Sequence, residues 1–182
     1  MRVYKCDIDG VYIIEPRIFE DARGHFFEAF SEREFAEQVC DCHFVQENEA
    51  KSSYGVVRGL HFQLPPHAQS KLVRVIKGRI LDVAVDIRKD SPTFGKHIAI
   101  ELSDENHLQI FIPHGFAHGY SVLSEEAVVE YKCDNYYAPE SEGAIAWDDE
   151  ALAIDWGIPA EQVILSEKDK HHSTLAECKN LF

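Results

Sequence analysis

The segment Leu81-Asp-Val-Ala-Val-Asp-Ile87 alternates with a period of two. In an extended chain Leu81, Val83, Val85 and Ile87 fall on one face and Asp82, Ala84 and Asp86 on the other, whereas a helix would scatter both sets around its axis. The segment is therefore read as a strand with one polar face. Similar short runs recur at Val11–Ile14, Lys71–Ile76, Lys96–Leu102, Leu108–Ile112, Ser121–Leu123 and Ala127–Cys133, separated by turn signals such as Lys77-Gly78-Arg79 and Lys89-Asp-Ser-Pro92. Several short strands at this spacing predict a mainly β chain folded as a β-sandwich or barrel. An inner face bearing Asp, Lys, His and Tyr lines a pocket, since a core would be apolar. Helical signal is sparse. Ser31 with Glu34 three positions on forms a capping-box pattern ahead of Phe35 and Val39, predicting one short helix, and a second is expected near Pro159–Val163. With 182 residues and neither repeats nor a linker-like tract, one domain spanning residues 1–182 is expected.

The chain carries 18 Lys and Arg against 32 Asp and Glu, a net charge of −14. Nucleic-acid phosphate and anionic lipid both need basic patches, so neither nucleic acid nor membrane is an expected partner, and any anionic ligand must be met by cations gathered locally. No apolar run approaches the roughly 20 residues of a spanning helix. The start, Met1-Arg-Val-Tyr-Lys-Cys-Asp7, lacks the apolar stretch of a secretory signal. The five cysteines, Cys6, Cys40, Cys42, Cys133 and Cys178, include no C-x-x-C pair, which argues for reduced thiols and a cytoplasmic address. Cys40-x-Cys42 is a weak metal or redox signal.

The densest cluster of chemically capable residues is Gly55-Val-Val-Arg58-Gly-Leu-His61-Phe-Gln63, followed by Lys71 and Gly78. Its spacing, Gly-x5-His-x-Gln then Lys-x6-Gly, resembles the first motif of the cupin barrel, in which two His and a Glu hold a metal. Pro113-His-Gly115-Phe-Ala-His118 is similar to the second motif. Gln63 stands in place of the second His and Lys71 in place of the Glu, and an ammonium repels a divalent cation, so no metal is expected at that position. A His near neutral pKa is a natural general base, and a fixed Lys a natural stabiliser of an enolate oxygen. The pair suits proton abstraction next to a carbonyl.

Beyond these motifs, the chain resembles the dTDP-4-dehydrorhamnose 3,5-epimerases, cupin-like sugar-nucleotide epimerases. The likeness runs through Phe19–Glu28, Phe44–Asn48, Val57–Gln63, Lys71–Arg74, Asp82–Arg88, Ser91–Gly95, Ile112–Gly119, Tyr131-Lys132, Tyr136-Tyr137 with Pro139, and Ser166–Asp169. It implies a jelly roll, a homodimer, no cofactor, and a dTDP-sugar as substrate, inverted at C3 and C5. His61 would then take the proton alpha to the C4 ketone, and Asp169 would orient its imidazole and stabilise the imidazolium. Tyr131 would be the acid on the opposite ring face, Lys71 would hold the enolate oxygen, and His118 would line the site. Periodicity alone places Tyr131 with Ala127, Val129 and Cys133 and reads it as core; only the resemblance makes it an acid.

By the same resemblance Arg23, Arg58 and Lys168 would meet the two phosphates, forked guanidinium contacts suiting that task. Glu28, Gln46 and Asn48 would read the thymine, with Tyr137 as a stacking face. Glu47 and Glu142 are carried as neighbours of those motifs and Phe26 as the member of the Phe26-Phe27 pair that faces the nucleotide. The alternatives are an epimerase inverting one centre, a ketoisomerase of the same fold, and a cupin that binds a sugar nucleotide without turning it over. A metal-dependent cupin oxygenase is disfavoured by Lys71 and Gln63. His67 is read as a surface residue, and the tail Lys170-His-His172 is assigned no role.

Overall fold

The computed structural model describes all 182 residues. Two antiparallel sheets face each other. The first, six-stranded, runs in the order β1 (Arg2–Lys5), β2 (Tyr12–Glu15), β10 (Gln109–Ile112), β7 (Lys71–Lys77), β12 (Glu126–Cys133), β5 (Gln46–Ser53). The second, five-stranded, runs β13 (Glu142–Ala144), β6 (Val57–Gln63), β11 (Phe116–Val122), β8 (Arg79–Asp86), β9 (His97–Ser103). A separate hairpin pairs β3 (Phe19–Asp21) with β4 (Gly24–Phe26). The strand order, with neighbours distant in sequence in both sheets, is the crossed connectivity of a cupin-like jelly roll.

Apolar residues fill three layers. Between the sheets, Val73, Val75, Ile110 and Val129 of the first meet Ile80, Ala84, Leu102 and Val122 of the second. Outside the second sheet, Val83, Val85, Ile87, Leu60 and Phe62 are covered by Leu152, Trp156 and Leu175 of the C-terminal segment. Outside the first, Phe35 packs on Ile14, Leu72 and Phe111. Phe35 belongs to α1 (Glu32–Gln38), whose Ser31 cap accepts from Glu34 N. The alternation in β8 thus resolves in an instructive way. Its Val face lies outward under the C-terminal segment, and Asp82, fully buried, faces between the sheets. Asp86 instead accepts hydrogen bonds from Arg88, Ser91 and Thr93 and ties down the loop after β8.

The expected second helix is only a 3₁₀ turn, Ala160–Gln162. Ile164 next to it donates to Gly55 O and accepts from Val57 N, which holds the chain extended along the edge of β6. That edge is shared: β13 pairs with Phe62 and Gln63 at the other end. Glycine matters where β6 and β11 touch. A Cβ on Gly59, at φ +130°, would lie 2.5 Å from Gly119 Cα.

Candidate active site

His61 projects from β6 into a cavity of about 400 Å³ lined also by Arg58, Lys71, His118, Tyr120, Tyr131 and Asp169. The edge pairing of Ile164 delivers the following turn to this point. Asp169 N donates to Ser166 Oγ, the carboxylate is buried, and its Oδ1 lies 2.6 Å from His61 Nε2. Burial works to raise the Asp169 carboxyl, but hydrogen bonds from His61, His172 and Ser166 outweigh it and bring it down to about 2. An ionised carboxylate only accepts, so His61 carries its proton on Nε2 and its Nδ1 is the basic nitrogen.

Lys71 and Tyr131 face His61 from the opposite sheet. In the register of β7 and β12, Lys71 pairs with Cys133 and Tyr131 with Val73, which leaves Lys71 Nζ 5.8 Å from the Tyr131 ring. Burial pushes the Lys71 ammonium down, opposed by Cys133, Asp82 and Glu142. Burial pushes the Tyr131 phenol up to about 12, so it holds its proton at neutral pH. Tyr131 does share a face with the buried Ala127, Val129 and Cys133, as its periodicity indicates, yet it is only half-buried because the cavity opens beside it. His118 sits opposite His61 in the β11–β6 register, with Nε2 2.9 Å from Asp82 Oδ2. Burial lowers the His118 imidazolium, only partly opposed by Asp82, while Asp82 Oδ1 has no protein partner.

An adjoining cavity of about 240 Å³ shares His61, Lys71, Tyr131 and Glu142 with the first and adds Gln46, Asn48 and Tyr137. Gln46 Nε2 donates to Asn48 Oδ1, and Gln46 Oε1 accepts from Tyr137 N, so strand β5 and the Tyr-Tyr loop are fastened together. Tyr137 is exposed and donates its hydroxyl to Glu142 Oε2, 3.1 Å away. Burial would raise Glu142, but Lys168 and Tyr137 lower it on balance. Lys168 pairs with that carboxylate, and Arg58 Nε donates to Ser52 Oγ at the cavity mouth.

Not every expected residue is brought to this place. Arg23, Phe26 and Glu28 belong to or follow the exposed hairpin. Phe26 and Glu28 line a separate cavity with Phe30 and Phe35, and Arg23 pairs with Asp21. Glu47 points to the other face of β5, where it pairs with Lys132. Gln63 is a clamp: Nε2 donates to His67 O and Tyr136 O, and Oε1 accepts from Ala138 N. His67 keeps 39% of its side chain exposed, in keeping with a surface position, but is tethered there, its Nδ1 2.8 Å from Ser141 Oγ. His172, in the tail to which the sequence assigns no role, belongs to the site. Its Nε2 lies 3.1 Å from Asp169 Oδ1, so two imidazoles share one carboxylate oxygen. The i, i+3 spacing on a turn was the available signal.

This arrangement is a basic imidazole held by a buried carboxylate on one wall, and an ammonium and a protonated phenol on the other. The family model described as dTDP-4-dehydrorhamnose 3,5-epimerase matches residues 5–177. A protein of that name from Methanothermobacter thermautotrophicus is 49% identical over 177 residues, covering 97% of this chain and 95% of that one. The crystal structure of the enzyme of that name from Elizabethkingia anophelis superposes with a TM-score of 0.94 at 52% identity, covering 99% of both chains. The dTDP-6-deoxy-D-glucose-3,5-epimerase of Legionella pneumophila, solved in complex with dTDP-4-keto-L-rhamnose, gives 0.93 at 47% identity over 97% of this chain and 93% of that one. A match over nearly the whole length, in sequence and in fold, places this chain in the dTDP-4-dehydrorhamnose 3,5-epimerase family.

Proposed function

We propose that the chain converts dTDP-4-dehydro-6-deoxy-D-glucose to dTDP-4-dehydro-L-rhamnose by inverting C3 and C5. The observation that carries this reading is the placement of His61 and Tyr131 on opposite sheets across one cavity. Inversion at carbon needs a base on one face of the ring and an acid on the other. The C4 ketone makes the flanking C–H bonds acidic. His61 Nδ1 removes a proton, Asp169 stabilises the imidazolium, Lys71 stabilises the enolate oxygen, and Tyr131 returns a proton from the far side. The neutral His118, backed by Asp82, forms the wall beside the sugar.

Arg58 and Lys168 supply positive charge for the diphosphate, and Gln46, Asn48, Glu142 and Tyr137 form the nucleoside end. Arg23, for the diphosphate, and Phe26 and Glu28, for the nucleoside, come from a second copy, because in their own chain they lie away from the His61 cavity and Phe26 is 72% exposed. The enzyme is thus a homodimer, each protomer a single catalytic domain over residues 1–182. Five unpaired cysteines support a reducing compartment such as the cytoplasm.

The activity is tested by supplying the substrate and reading the product through a reductase that accepts only the inverted ketosugar. Wild-type protein gives product and His61→Ala gives none; equal rates in both would reject the assignment. Dimeric completion is tested by mixed refolding of His61→Ala with Phe26→Ala. Hybrids restore about one quarter of the wild-type sites if the hairpin acts across the interface, and none if it acts within its own chain.

A further inference from the structure

A second imidazole beside the dyad is more than proton abstraction requires. His61, His172 and Asp169 each offer one ligand atom, all within 4.8 Å of one another, and both Nε2 atoms lie close to the same Asp169 Oδ1, at 2.6 and 3.1 Å. We infer that this cluster is an inhibitory binding site for a first-row divalent transition-metal cation such as Zn²⁺. Two imidazole nitrogens and one carboxylate oxygen, with the remaining positions open, form a donor set that suits Zn, Fe, Co or Ni and is poor for Mg. A cation bound at 2.0–2.2 Å requires its ligand atoms roughly 3.0–3.4 Å apart, and the three atoms reach that spacing by small adjustments of two rings.

The site is built. Asp169 is 4% exposed, and the His172 and His61 side chains are 14% and 30% exposed. The backbone flanking His172 is fixed by Ala146 N donating to Ser173 O. Of the ammonium groups nearby, Lys168 is engaged by Glu142 and Lys71 stands across the 400 Å³ cavity on the opposite sheet; His61 and Asp169 both line that cavity, which is the route by which water reaches the open positions of the cation.

Binding there abolishes the base without touching substrate. A neutral imidazole carries one proton. In the metal-free dyad that proton is on Nε2 and Nδ1 is free; a cation on Nε2 takes its lone pair, and the ring proton moves through solvent to Nδ1. No atom is oxidised or reduced. The inhibition rests on the role proposed for His61, while the binding does not.

The test is a calorimetric titration of chelator-treated wild-type protein and His172→Asn with Zn²⁺ and, separately, Mg²⁺. The Asn amide still donates to Asp169 but is a poor ligand. Wild type is expected to bind one Zn²⁺ at least about tenfold more tightly than the variant, a floor taken from what loss of an outer-shell partner alone costs. Mg²⁺ binds neither. In α-proton exchange, each protein being referred to its own metal-free rate, Zn²⁺ silences wild type and correspondingly more is needed for the variant. Equal Zn²⁺ affinities overturn the inference, as does a saturated wild-type site with undiminished exchange. If metal-free protein shows no exchange, the epimerase reading fails while the calorimetric comparison still decides the site. Should His172→Asn melt abnormally, Asp169→Asn supplies the same binding comparison.

Discussion

Replacing Asp169 with Asn removes one buried negative charge at nearly constant volume. The carboxyl is held at about 2 against an ordinary 3.8, which at about 1.4 kcal/mol per unit is roughly 2–3 kcal/mol of net preference for the charged form. A direct Coulomb figure brackets it from above: opposite charges 4 Å apart at an effective dielectric of 20 attract by about 4 kcal/mol. Since the imidazolium forms as the proton leaves carbon, this stabilisation belongs to the transition state. Its loss slows the reaction about 30- to 10³-fold. The amide adds a second penalty, because its NH₂ can donate to His61 Nε2 and hold the ring proton on Nδ1, which takes the upper end to about 10⁴-fold. The assay is kcat/KM from reductase-coupled turnover, with the melting temperature measured alongside. A folded Asp169→Asn protein within tenfold of wild type would refute the dyad.

Three further outcomes follow from other parts of the molecule. Tyr131→Phe keeps the base and loses the acid, so solvent deuterium still enters the substrate while inverted product falls about 10²–10⁴-fold; parallel loss of both would show that Tyr131 is not the acid. Burial works to raise Asp86, but its bonds from Arg88, Ser91 and Thr93 hold it at about 2. A folded-state value below the unfolded one stabilises fully above about pH 4 and is lost as pH falls through 2. Asp86→Ala is expected to cost about 2–4 kcal/mol in urea unfolding at pH 7, with the gap closing toward pH 2; a pH-independent gap would contradict the argument. Gly59→Ala places a Cβ 2.5 Å from Gly119 Cα at φ +130°, and a loss of about 2 kcal/mol or more is expected in thermal melting, against no change if the strands can part freely.

The sheets were legible where burial on one face imposes alternation. Strands β7, β8 and β12 fall within a residue or two of their sequence limits, because Val, Leu and Ile face a core there. Strand β5, Gln-Glu-Asn-Glu-Ala-Lys-Ser-Ser, offers almost no apolar pattern, being a sheet-edge strand whose inward side chains, Gln46, Asn48, Ala50 and Ser52, are mostly polar. Of β11 only Ser121-Val122 carries a strand signal in the sequence, since Phe116–Gly119 has the His and Gly content of a loop, yet all seven residues of the strand are buried. The site divides the same way. Lys71 and Tyr131 sit on strands whose periodicity was visible. Asp169 lies 108 residues beyond His61, and nothing in local sequence foretells that contact. It depends on Ile164 running along the edge of β6. The hairpin carrying Arg23 and Phe26 enters by resemblance alone, and in its own chain it lies away from the His61 cavity.

The most direct test of the account is proton NMR of dTDP-4-dehydro-6-deoxy-D-glucose in D₂O with chelator-treated protein, alongside His61→Ala. The account predicts loss of both the C3 and C5 proton signals with wild type and of neither with the variant. Exchange at one carbon only would contradict the double inversion, and exchange that persists without His61 would contradict its role as the base.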